Sequence, residues 1–194
     1  MSNAPLDEPI TRDLQRAATY QFLALLFLPP SAGLRDELHI LAGALPEQLR
    51  AAARALVAEA GPEIEHEYHA LLGGSGRCRH CESDYQGIAI GGKGPIIADV
   101  AAFYRAFHFS PPALRLAPDH IAVELDFLGY LAMKTAYARH TGLAGEREMC
   151  EAASASFVRD HLGQFADSFL AQLAAAAGDR FHGHAARFAA RALA

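Results

Sequence analysis

With 194 residues, 52% of them hydrophobic, the chain is long enough to bury one substantial core, and domains of this size usually stand alone. A formal net charge of −5 with scattered arginines excludes the clustered basic surface that nucleic acid requires, while a mildly acidic surface is compatible with a basic peptide partner. Three cysteines do not describe a disulfide framework and point to a reducing compartment.

Residues 1–9 read as a flexible N-terminus without the basic region of a secretory signal, and residues 10–194 as one domain. Helical periodicity dominates throughout. Thr11 to Leu28 is the first expected helix, with Leu14, Ala18, Phe22 and Leu25 or Leu26 facing inward and Pro29-Pro30 stopping it. Its apolar run, Phe22 to Leu28, falls far short of the roughly 20 residues that span a bilayer. No stable membrane insertion is expected, and the chain is read as cytoplasmic. Leu34–Ala44, Pro46 to Ala60 and Glu63–Leu72 follow as helices, the last two separated by Gly61-Pro62.

Residues 73–94 hold seven glycines and two cysteines and read as a long loop, which in a compact domain is more often functional or mobile than structural. Pro95 to Phe109 is helical. Pro118 is expected just inside the next helix start, where its missing N–H needs no partner, with Asp119 in the first turn and the helix running to His140. Ile121, Leu125 and Leu128 then form a buried stripe beside His120 and Glu124, which lie four apart on one face. A further helix is expected over Glu146 to Ala177, bent near Gly163, and Arg180 to Leu193 closes the chain. Around eight helices with mostly short connections imply an all-α, single-domain helical bundle.

Three patterns invite chemistry. Cys78 and Cys81 at CxxC spacing supply half a tetrahedral zinc set, which His66 and His69 would complete; the pair could also be redox active. Against both, a second CxxC is absent and the strand–helix context of a thiol-redox motif is missing. This leaves a small zinc- or thiol-dependent helical protein as the alternative to a chain without metal. His120 with Glu124 is either an acid–base pair or a buried hydrogen bond that fixes a helix. Gly91-Gly92-Lys93-Gly94 fails the phosphate-loop pattern, since no Ser or Thr follows the lysine and no strand precedes it. Phe103, Tyr104, Phe107 and Phe109, like Tyr20 and Phe22, are core aromatics at helical spacing or, in part, the lining of an apolar groove.

Pro118-Asp119-His120-Ile121 followed by Glu124-Leu125 is a close match to the signature of the TorD/DmsD/NarJ-type redox-enzyme maturation chaperones, which this sequence resembles. Agreement extends to Ala98-Asp99-Val100-Ala101 with Phe103-Tyr104 and Ala106-Phe107, and to the stretches Glu65 to Leu72, Glu82 to Tyr85 and Phe157 to Leu162. The motifs keep the family's order over residues 10–193. Arg79-His80 stands where the family usually carries prolines, a departure that alters the loop before Glu82.

The resemblance implies a TorD-like helical fold and a cytoplasmic chaperone, not an enzyme, without a cofactor of its own. Its partner would be the twin-arginine leader, the body, or both, of a molybdopterin oxidoreductase catalytic subunit, whose export it delays until the cofactor is inserted. Asp119 and His120 match positions implicated in leader binding, and Glu82, Ser83, Tyr85, Glu124, Tyr20 and Phe103 complete the expected peptide site. The leader's arginines would meet Glu82, Asp84, Asp119 or Glu124 while a groove buries its apolar region, with residues 73–94 as an adaptable lid. The resemblance permits weak guanine-nucleotide binding, and either a monomer or a homodimer.

Overall fold

The computed structural model describes residues 7–74, 76–86, 92–111 and 116–194. Among these, nine α-helices account for the architecture: α1 (Glu8–Phe27), α2 (Leu34–Ala44), α3 (Glu47–Glu59), α4 (Glu63–Leu72), α5 (Gly94–Ala106), α6 (Ile121–Thr141), α7 (Ala144–Phe157), α8 (Gly163–Ala177) and α9 (Phe181–Leu193). Glu82–Asp84 forms a 3₁₀ turn and Val158–Leu162 a π turn. No strand occurs among the described residues; the nearest approach is an isolated antiparallel bridge between Cys81 and His120.

Helix α1 begins at Glu8, so residues 8 and 9, expected to belong to the flexible N-terminus, are helical. Pro9 lies in the first turn, where its preset φ suits a helix start. The helix ends at Phe27 because Leu28, preceding Pro29, is extended (φ −80°, ψ 155°), the conformation a following proline favours. Phe22, Leu23, Leu26 and Phe27 are fully buried, whereas Leu25 is only half-buried.

The long α6 occupies the centre, packed against α1, α7 and the π turn. Ile121, Leu125 and Leu128 are sealed from solvent as their spacing requires. Its start differs from expectation: Pro118 and Asp119 precede the helix, and His120 is the N-cap, its Nδ1 accepting the Ala122 N–H at 3.1 Å. The reason is the neighbouring segment. Glu82 N–H donates to the Asp119 carbonyl (2.9 Å) and Ile121 N–H to the His80 carbonyl (2.9 Å), so residues 119–120 bond to the 80–82 stretch instead of opening the helix. At the other end Gly142 caps α6 at φ +75°, the left-handed geometry that favours glycine.

The helix expected over Glu146 to Ala177 is three pieces, α7, the π turn and α8. At Gly163 an added Cβ would lie 2.6 Å from the Val158 carbonyl oxygen, so only glycine lets the wider turn close onto α8. That turn brings Phe157 against Phe127 of α6 (ring centroids 4.9 Å apart) and leaves Phe127 also in contact with Tyr104 (4.9 Å) and Phe109 (5.3 Å). Each fully buried aromatic contributes on the order of 1.5–3 kcal/mol of transfer free energy, with about 0.5–1.5 kcal/mol more for favourable ring pairs. This aromatic cluster holds the short α5 to the bundle and so shapes the site.

Candidate functional site

The motif residues converge where the 78–86 segment crosses the start of α6 and meets the π turn. Glu82, Asp119 and Glu124 have no exposed surface, and His120 (2%), His161 (3%) and Ser83 (6%) nearly none. A carboxylate is rarely so buried unless paired, and each of these finds a different solution. Asp119 Oδ2 accepts the Ser83 N–H at 3.0 Å, fastening the 3₁₀ turn from outside the helix. Glu82 accepts from Gln86 Nε2 and lies 3.1 Å from His161 Nδ1 through Oε2. Glu124 has no donor among the described groups for either carboxyl oxygen.

Burial first, and then the charges of Glu82 and Asp119, push the Glu124 carboxyl well above the usual carboxylate range. Two carboxylates side by side have no hydrogen to share; protonated, Glu124 becomes a donor to Glu82. His120 moves the opposite way, to about 3, through burial and the nearby His80, whose ring centroid lies 4.6 Å away. A neutral imidazole is what the N-cap requires, because Nδ1 must accept a hydrogen bond.

His161 links this interior to solvent. Its Nε2 is 3.6 Å from Oδ2 of Asp99 on α5, a carboxylate whose side chain is 68% exposed. Between them opens a cleft of about 550 Å³, lined by Glu82, Pro95, Ile96, Asp99, Asp160 and His161 among others. Three carboxylates thus meet an apolar wall in one cleft, with Phe103 packed edge-on against His161 (5.4 Å). Tyr104 donates its hydroxyl to the Pro118 carbonyl (2.8 Å), tying α5 to the loop before α6.

Of the expected peptide-site residues, the structure brings Glu82, Ser83, Asp119, His120 and Glu124 together but under cover. Tyr85 and Phe103 are half-buried nearby, and Tyr85 Oη donates to the Arg79 carbonyl (2.7 Å). Asp84 is engaged by Lys93 and Arg79. Tyr20 lies elsewhere, in a cleft with Arg12, Arg16 and Gln48. The sequence reading passed over Asp99, Asp160 and His161 as site residues. His161 stood within the Phe157 to Leu162 stretch that agrees with the family motifs, but nothing foretold the π turn that aims it at Glu82.

The zinc set is not assembled. His66 and His69 are exposed on α4, Cys81 is half-buried, and Cys78 is buried with its thiol facing the Gln172 carbonyl at 4.0 Å. Among the described residues no group of three or more His, Cys, Asp or Glu side chains could hold a metal ion. Burial pushes both thiols up, Cys81 to about 12 with help from Asp119 and Asp84, which opposes the thiolate that redox or metal chemistry needs. The neighbouring Glu67 is instead a structural anchor, accepting the His182 N–H at 3.0 Å. Of the glycine-rich Gly91 to Gly94 stretch, Gly91 lies outside the described residues.

What these residues define is an all-helical fold whose motif secures a loop and leaves an acidic, apolar-walled cleft beside it. Residues 39–171 match the family described as nitrate reductase delta subunit, and the chain belongs to that family. Its members are maturation chaperones for molybdoenzymes rather than catalysts. No curated protein and no solved structure matches the chain. Among the described residues no helix is long and apolar enough to cross a membrane.

Proposed function

We propose that this chain is a cytoplasmic chaperone that binds the twin-arginine leader of a molybdopterin oxidoreductase precursor and holds the precursor back from export until its cofactor is in place. The observation that carries this reading beyond family membership is the α5 cleft. A twin-arginine leader joins cationic side chains to an apolar segment. The cleft offers the exposed Asp99 beside Pro95, Ile96 and Ala102, the complementary pairing, while Asp160 is held by Arg159 and Glu82 lies buried behind His161. An arginine entering it meets Asp99, whose carboxylate is free to accept a charge-assisted hydrogen bond.

In this arrangement Asp119, His120 and Glu124 act as positioning residues. They hold the 3₁₀ turn that carries Glu82 and fix the start of α6, while Phe103 packs against His161 behind the cleft and Tyr85 ties the loop to Arg79 and Gln172. Ordering a disordered leader against such a surface consumes part of the interaction free energy, so the complex is of moderate affinity and release remains feasible.

Calorimetry with the leader peptide tests the assignment. Asp99→Asn weakens binding about three- to tenfold, more at low salt, because an exposed charge contributes modestly and is screened. Replacing both leader arginines with glutamine weakens wild type at least as much and removes its difference from the variant. Equal affinity of both proteins for the native leader excludes this cleft as the arginine site.

A further inference from the structure

A second surface, on α1, α2 and α6, shares no residue with the leader site. Between α1, α2 and α6 runs a groove of about 380 Å³ lined by Leu25, Leu28, Ile40 and Leu41 together with the carboxylates of Glu37 and Asp126. Ile40 is 72% exposed, the most open large hydrophobic residue among those described, although it stands beside an apolar channel that could shelter it. Neither Glu37 nor Asp126 forms an ion pair among the described residues. Asp126 is half-buried there, and burial raises its carboxyl, the condition of an acid that lacks a cation.

The groove therefore asks for two things at once, large apolar side chains to cover Ile40 and a positive charge to meet Asp126 and Glu37. A channel between helices that presents both is suited to an amphipathic helix with apolar anchors at i and i+4 and a basic residue beside them. The leader held in the α5 cleft is poorly placed to supply it. Glu124 faces the motif cluster and Asp126 follows two positions later, roughly 200° around a helix about 10 Å wide. Glu124 and Asp126 thus lie on nearly opposite faces of α6, and the cleft and the groove share no lining residue.

We infer that the α1–α2–α6 groove docks a helix of the client's mature polypeptide, one carrying large apolar side chains next to a lysine or arginine, as a second contact independent of the leader. The inference rests on reading the chain as a molybdoenzyme chaperone. Two linked contacts of modest strength give a tighter hold on the unfinished client than either alone.

The test uses the full chain with three probes from the same genome: the molybdopterin catalytic subunit as precursor, the same subunit expressed without leader and cofactor, and the isolated leader peptide. Binding of the leaderless subunit is expected. Ile40→Ser should weaken it about tenfold, the value of burying much of one large aliphatic side chain, and Asp126→Asn should weaken it and flatten its salt dependence. Both variants should bind the isolated leader as wild type does. Ile40 is exposed, so its replacement leaves the fold intact, and an unchanged melting temperature verifies this. If the leader binds but the leaderless subunit does not, or if neither variant affects the leaderless subunit, the groove assignment fails and the chaperone reading stands. If Ile40→Ser instead converts a dimer to a monomer in sedimentation, the groove is a self-interface and the inference is overturned. If neither leader nor subunit binds, both readings fall.

Discussion

His161 Nδ1 stands 3.1 Å from Glu82 Oε2, and both side chains are shut off from solvent although they lie 79 positions apart in the chain. The contact joins the 3₁₀ turn at Glu82–Asp84 to the π turn at Val158–Leu162, and it sets the floor of the cleft that faces Asp99. Removing the carboxylate leaves a buried imidazole and the Gln86 amide without their acceptor. Glu82→Ala should cost about 1–3 kcal/mol of unfolding free energy, read as a lower urea midpoint at unchanged slope.

Acid should loosen the fold through the buried imidazoles. His120 is held at about 3 against 6.5, and His182 is lowered by burial despite the attraction of Glu67. At these two side chains the unfolded chain therefore binds more protons below pH 6.5 than the folded one, so their contribution to stability falls as pH drops from 6.5 toward 3. His120→Asn retains an N-cap acceptor but nothing to protonate. Thermal melts at pH 7 and pH 5 should show a smaller loss for the variant than for wild type.

Glu124 has the opposite pH dependence. Its folded carboxyl is raised well above the ordinary value, so the folded state keeps a proton that the unfolded state gives up. Its contribution is full below the unfolded pKa and is lost as pH rises through the folded one. Glu124→Gln, uncharged at every pH and still able to donate to Glu82, should be less sensitive to rising pH. Comparing urea midpoints of variant and wild type as pH rises from 4.5 should show the difference moving in favour of the variant.

The cysteines should be dispensable for folding. With both thiols raised by burial and no metal-holding group among the described residues, Cys78→Ser with Cys81→Ser should keep its helicity and melt within a few degrees of wild type. A chelator should leave wild type unchanged, whereas loss of a structural zinc would remove on the order of 10 kcal/mol of folding free energy.

Much of this was legible in the sequence, and the gaps share a cause. The stripe Ile121, Leu125, Leu128 and the stop at Pro29-Pro30 depend on local periodicity and backbone chemistry, which a sequence displays directly. The helix start at Pro118 was misjudged because long-range bonds from His80 and Glu82 claimed residues 119–121, and a local rule cannot see them. Asp13 is buried against Arg139 (2.7 Å), yet as one acid near a chain end it had no pattern to mark it. The motif marks residues that the fold brings together, but it could not tell that Glu82 and Glu124 would be enclosed or that Asp99 would stand exposed at the cleft without a cation of its own among the described residues.

The most direct measurement is calorimetric titration of the wild-type chain with the twin-arginine leader of the molybdopterin oxidoreductase from its own genome, fused to a carrier. The account expects one leader per chain with a dissociation constant between roughly 0.1 and 10 μM, about −8 kcal/mol at 1 μM. No measurable binding to the leader of any molybdoenzyme precursor in that genome would contradict it.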